Sequence, residues 1–148
     1  MEYVEASGVV ARPLAAVWQA HTDPQLLAQV WPSYPPLRVV GPGTIDGPDQ
    51  FTVQIDLPPP LPPIDWQVEI VRWEPPFRFV DRQARGPFRF WEHTHQFSAL
   101  DDERTLFVDG ISFEYNPLID GLIVKPALAL VLEWRVGRMG EVLGGRIT

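Results

Sequence analysis

Apolar and polar residues alternate strictly through Phe51-Thr52-Val53-Gln54-Ile55-Asp56-Leu57, the period-two pattern of a strand with one buried face. Similar runs predict strands over residues 3–11, 37–40, 65–73, 77–84, 88–100 and 105–115. Two short helices interrupt them early. Pro13 suits a first helical turn, and residues 13–20 carry Leu14, Val17 and Trp18 on one face. Asp23-Pro24 supplies a capping carboxylate followed by proline, which predicts a second helix over residues 25–30. From Pro117 onward the period lengthens. Leu122, Ala129, Leu132, Val136, Met139 and Leu143 fall near helical spacing, predicting one long helix started or kinked at Pro126 and ended by Gly144-Gly145.

Turn signals separate the strands. The run from Pro58 to Pro63 is a stiff connector, because proline cannot donate to a sheet ladder. Glu74-Pro75-Pro76, Arg85-Gly86-Pro87 and Asp101-Asp102-Glu103 mark three further turns. The expected class is α+β: a curved antiparallel sheet of about seven strands, two short helices and one long C-terminal helix covering the apolar face. Closure is incomplete near the short helices, which leaves room for a cavity.

Strand parity locates the chemistry. Trp91, His93, His95 and Phe97 share one face of their strand, and Phe90, Glu92, Thr94 and Gln96 share the other. In the last strand Phe107, Asp109, Ile111, Phe113 and Tyr115 are in phase, and Phe79, Asp81 and Gln83 are in phase in the strand 77–84. Three strands thus aim Asp81, Gln83, His93, His95, Asp109 and Tyr115 into an aromatic interior. Buried polar groups need partners. Either these satisfy one another or they orient a ligand, with Trp66, Phe79 and Trp91 as walls. Two histidines with Asp81 or Asp109 also make a two-His, one-carboxylate set, but nothing in the spacing calls for a metal or a cofactor. His93, His95 and Tyr115 are the candidate acid–base groups, with an aspartate fixing a tautomer. His21 reads as a surface or capping residue. Arg135 and Arg138 read as complements to a helix dipole, and the remaining tryptophans, including Trp134, as core or cavity wall.

Composition narrows the function. The 148 residues suit one domain over 1–148, with 45% hydrophobic and 21% charged residues. A net charge of −7 argues against nucleic acid. Cysteine is absent, so disulfides and thiolate chemistry are excluded. No apolar run is long enough for membrane insertion, and the N-terminal residues lack a signal-peptide pattern, leaving the cytoplasm as the default. Apolar residues of the Pro-rich loop point to a homodimer contact.

Several segments together resemble the SRPBCC (START-like) superfamily, in its bacterial polyketide cyclase/dehydrase-like branch. They are Phe79-Val80-Asp81-Arg82-Gln83, Gly86-Pro87-Phe88, Trp91-Glu92-His93-Thr94-His95-Gln96-Phe97, Thr105, Asp109, Tyr115-Asn116-Pro117 and Arg135. The opening, Ala11-Arg12-Pro13-Leu14-Ala15-Ala16-Val17-Trp18, is similar too. One departure is Leu118-Ile119-Asp120, where a glycine is expected sooner. The resemblance implies a helix-grip fold around a hydrophobic cavity that binds or carries a lipid, polyketide or quinone-like molecule. It leaves open a cyclase or dehydratase acting in that cavity, and a non-enzymatic interaction module.

Overall fold

The computed structural model describes residues 1–32 and 35–143. Strand β1 (Glu2–Val10) leads into helices α1 (Leu14–His21) and α2 (Leu26–Gln29). Six strands follow: β2 (Leu37–Val40), β3 (Gln50–Ile55), β4 (Ile64–Glu74), β5 (Arg78–Arg85), β6 (Phe90–Ala99) and β7 (Thr105–Glu114). A π-helical turn (Asp120–Val124) then runs into the long helix α3 (Lys125–Leu143). The predicted stop at Gly144-Gly145 lies outside the described residues.

All seven strands form one antiparallel sheet in the order β1-β7-β6-β5-β4-β3-β2. The sheet is therefore built from hairpins except where β1 joins β7 across the length of the chain. Two register shifts in the β4–β5 pairing, at Gln67/Val68 and Ile70/Arg72, are bulges that bend the sheet. Curvature lets it wrap α3 on one side. Gly8 permits the closest approach, since a Cβ there would lie 2.8 Å from Val136 Cγ1 of the helix.

The start of α3 differs from expectation. Pro126 has no N–H for an α-helical bond, and the π-helical turn before it shifts the helical phase. Leu122 is consequently 85% exposed and Ala129 is also outside the core. The inward face is instead Leu128, Leu132, Arg135, Val136 and Met139, spaced i, i+4, i+7, i+8, i+11. Trp134 falls on the opposite face and is 51% exposed, so it is neither core nor cavity wall.

Asp120 accounts for the departure in the loop before the helix. Its carboxylate accepts the Tyr115 and Asn116 amides at 3.0 and 2.8 Å, doing with a side chain what a glycine turn does with backbone freedom. At the other end of α3, Arg12 Nε donates to the Leu143 carbonyl at 2.7 Å. Near the N-terminal helices, the Gln25 amide donates to Asp23 Oδ1 at 2.9 Å in the turn before α2. The N-cap of α2 is Gln25, without a side-chain cap, so Asp23 caps this turn and not, as expected, the helix.

Two apolar clusters result. The larger joins Val4, Val10, Trp18, Phe97, Phe107, Phe113, Leu132, Val136 and Met139, between β1, β6, β7 and α3. The smaller centres on Val53, Ile55 and Val68 of β3 and β4. Between them lies a void.

Candidate functional site

The void is a cavity of about 410 Å³ bounded by the sheet, the two short helices and α3. Its walls are largely apolar: Leu26, Val30 and Trp31 from the helical segment, Val53, Trp66 and Ile70 from the sheet, and Leu128, Val131 and Leu132 from α3. Trp66 meets Trp91 edge-on at 4.7 Å and stacks on Phe88 at 5.6 Å, which makes one end aromatic.

The opposite end is polar, and antiparallel register explains why. Asp81 pairs with His93 across β5 and β6, and His95 pairs with Asp109 across β6 and β7. Residues opposite one another in a sheet present side chains on the same face. Side chains then connect diagonally. His95 Nε2–H donates to Asp81 Oδ2 at 2.6 Å, and His93 Nε2–H donates to Asp109 Oδ1 at 3.2 Å. The two imidazoles stack at 3.8 Å, and Phe79 stacks on the other face of His95 at 4.0 Å. From α3, Arg135 Nε donates to Asp109 Oδ2 at 2.7 Å.

Sharing a carboxylate gives the two histidines opposite tendencies. For His93, burial disfavours charge and the neighbouring His95 adds to this, so its pKa falls below the ordinary value despite Asp109. For His95, burial acts in the same direction, but the contacts with Asp109 and Asp81 outweigh it and the pKa rises. Burial alone would raise the pKa of Asp109. The Arg135 charge and the two imidazoles overcome that and hold it well below the usual carboxylate range. Two carboxylates thus face one guanidinium and one imidazole that favours its proton. The charges cancel. A neutral His93 that donates through Nε2 keeps a lone pair on Nδ1. His95 Nδ1 lies 3.3 Å from Asp109 Oδ1 but makes no hydrogen bond, being off-line.

Of the residues picked out from sequence, Trp66, Phe79, Asp81, Trp91, His93, His95 and Tyr115 line the cavity. Asp109 sits behind the wall as its electrostatic hub. Gln83 has a structural role instead. Its amide donates to the Phe88 carbonyl at 2.7 Å and accepts the Phe88 N–H at 3.1 Å, closing the β5–β6 hairpin. Tyr115 lies just past β7, is 43% exposed and meets Phe88 edge-on at 5.4 Å, at the rim.

Two residues expected elsewhere belong to the site. His21 is buried, not a surface residue, and lines the cavity. Its Nδ1–H donates to the Val17 carbonyl at 2.8 Å, and burial pushes its pKa down to about 3. Extending the stripe Leu14, Val17, Trp18 by one turn reaches His21, so helical spacing carried the signal. Arg135 is likewise no exposed partner of the helix dipole. It is 7% exposed and lines the cavity, on the same face as Leu128, Leu132 and Met139.

Asp81, His93 and His95 offer metal-ligating atoms within 4.8 Å of one another. Those side chains already pair within the wall, His95 with Asp81 and His93 with Asp109.

No family model matches the chain, and no curated protein matches it. Solved structures do. A protein from Thermus thermophilus superposes with a TM-score of 0.75 at 18% identity, covering 96% of this chain and 97% of that one. A START superfamily protein from Mycobacterium smegmatis gives 0.75 at 14% identity, over 95% and 96% of the two chains. The fold is the START-like helix grip. The ZhuI aromatase/cyclase from Streptomyces sp. R1128 shares this helix grip, with a TM-score of 0.68, 20% identity and coverage of 96% and 90%. Among the described residues, no helix is long and apolar enough to cross a membrane.

Proposed function

We propose that the protein binds a hydrophobic small molecule in the cavity between sheet and helix, with the molecule's polar end against the Asp81–His93–His95–Arg135 wall. One observation carries this reading: an apolar cavity of about 410 Å³ ends in a polar wall that includes a buried, unpaired hydrogen-bonding atom, His95 Nδ1. A core stabilised only by packing has no use for such a void, since lining atoms lose their contacts. The fold is shared with an aromatase/cyclase and with a norcoclaurine synthase in complex with dopamine and hydroxybenzaldehyde, which supports a small organic ligand. Native mass spectrometry of gently purified protein should show a co-purifying small molecule. Empty protein from several hosts, with no uptake of hydrophobic probes, overturns the reading.

A second reading rests on His93. Asp109 fixes it as the Nε2–H tautomer, and its depressed pKa keeps it an acceptor near neutral pH. In a water-poor cavity that is the arrangement of a general base, consistent with a cyclase or dehydratase. A His93→Ala variant that still binds ligand but stops turnover supports it; unchanged turnover removes it.

A further inference from the structure

Arg135 has more hydrogen-bonding capacity than the described residues use. A guanidinium carries five N–H donors in a planar fork. Among the described residues Arg135 makes one side-chain hydrogen bond, from Nε to Asp109. Among those same residues no acceptor within hydrogen-bonding geometry meets Nη1 or Nη2, although Arg135 is 7% exposed and lines the cavity. Neither Nη is among the fully buried unpartnered atoms of the described residues, so both keep surface towards the cavity, where a ligand acceptor can reach them. Among the described residues, the buried atoms without a partner on the same cavity are His95 Nδ1 and Trp66 Nε1.

Resting on the binding role above, we infer that Arg135 is the oxygen-binding residue of the cavity and that the ligand is an uncharged aromatic molecule bearing a carbonyl or phenol-type oxygen.

Charge selects the class. The positive charge of Arg135 is already matched by Asp109 at 2.7 Å, and Asp81 adds a second carboxylate to the wall. A carboxylate ligand would bring a third carboxylate to a buried wall that already sets Asp81 and Asp109 against the single guanidinium of Arg135. An amine would meet the cationic Arg135 guanidinium, whose free donors call for an acceptor. An uncharged oxygen satisfies the Nη donors without adding a charge to the buried wall. A phenolic proton has acceptors beside it in the free nitrogen of His93 and the carboxylate of Asp81.

Size and shape agree. A volume of about 410 Å³ holds roughly a dozen water-sized units, enough for a two- or three-ring molecule and too little for a two-chain lipid. Phe88, Trp66 and Trp91 offer flat faces and edges to stack against it.

The test uses three probes of matched shape: 2-acetylnaphthalene, 2-ethylnaphthalene and 2-naphthoate, titrated calorimetrically into the full chain. Expected is a preference for the ketone of at least tenfold over both others. Arg135→Met should reduce the ketone-to-ethyl ratio to about twofold or less. Where that variant fails to fold, the double variant Arg135→Met/Asp109→Asn removes both charges together and is titrated instead. Guanidinium resonances of the unmodified protein give an independent readout, shifting with the ketone and not with the ethyl compound. An unchanged ratio in the variant, or tightest binding by naphthoate, overturns the inference. Equal binding of ketone and ethyl probes defeats it while leaving the cavity reading intact. Failure of all three probes to bind defeats both.

Discussion

Arg135 on helix α3 and Asp109 on strand β7 meet at 2.7 Å in the interior, and no other buried ion pair among the described residues ties that helix to the sheet. Breaking such a pair on one side leaves an uncompensated charge, which typically costs about 3–5 kcal/mol. Asp109→Ala should therefore destabilise strongly in urea unfolding. Replacing both partners with Asp109→Asn and Arg135→Met should recover most of the loss. Equal destabilisation by the single and double changes would remove the charge argument.

Stability should peak near neutral pH. His21 is neutral when folded, with a pKa of about 3 against 6.5 when unfolded. The unfolded chain therefore binds the extra proton between those values, and stability falls as pH drops from about 6.5. At about 1.4 kcal/mol per unit, full expression of this shift is on the order of 5 kcal/mol. His93 acts in the same direction. His95 has a raised value, so its contribution is complete below 6.5 and is lost as pH climbs through its folded pKa. Thermal unfolding across pH should show both flanks, and His21→Leu should flatten the acid one.

Gly8 and Val136 should behave as a coupled pair. A methyl at Gly8 would lie 2.8 Å from Val136 Cγ1 and 3.1 Å from Phe107, both fully packed. Gly8→Ala is expected to cost roughly 1–3 kcal/mol as overpacking. In the Val136→Ala background the added cost should largely disappear in chemical denaturation. Additive losses would show that the helix does not approach the strand there.

Val131 offers a way to close the cavity from the helix side. It is half-buried and lines the void, so Val131→Trp fills space without displacing core. Binding of 2-ethylnaphthalene should weaken at least tenfold by calorimetry while the melting temperature holds or rises. Unaltered binding would place the ligand elsewhere.

Much of this architecture was legible from residue order. Period-two runs located all seven strands to within two or three residues, because a half-buried strand must alternate. Parity put Asp81, His93, His95 and Asp109 on one face, as the cross-strand register has them. What escaped were polar residues at helical core positions. His21 and Arg135 continue apolar stripes that a hydrophobicity rule truncates at the first polar member. Leu122 escaped for a different reason: the π-helical turn before Pro126 changes the helical phase, and spacing carries no mark of that. Gln83 shared the parity of the site, but a hairpin closed by Phe88 claimed its amide.

The smaller apolar cluster has a consequence for folding as well as binding. Val53, Ile55 and Val68 all line the cavity, so this end of the sheet faces the proposed ligand space. A bound molecule would complete that core, contributing contacts the polypeptide lacks and stabilising by mass action. In hydrogen exchange, amides of β2 and β3 should open well before those of β1, β6 and β7, and occupancy should slow the first group most. The chain is in this sense an unfinished protein at one end, with its guest serving as the last piece of hydrophobic interior.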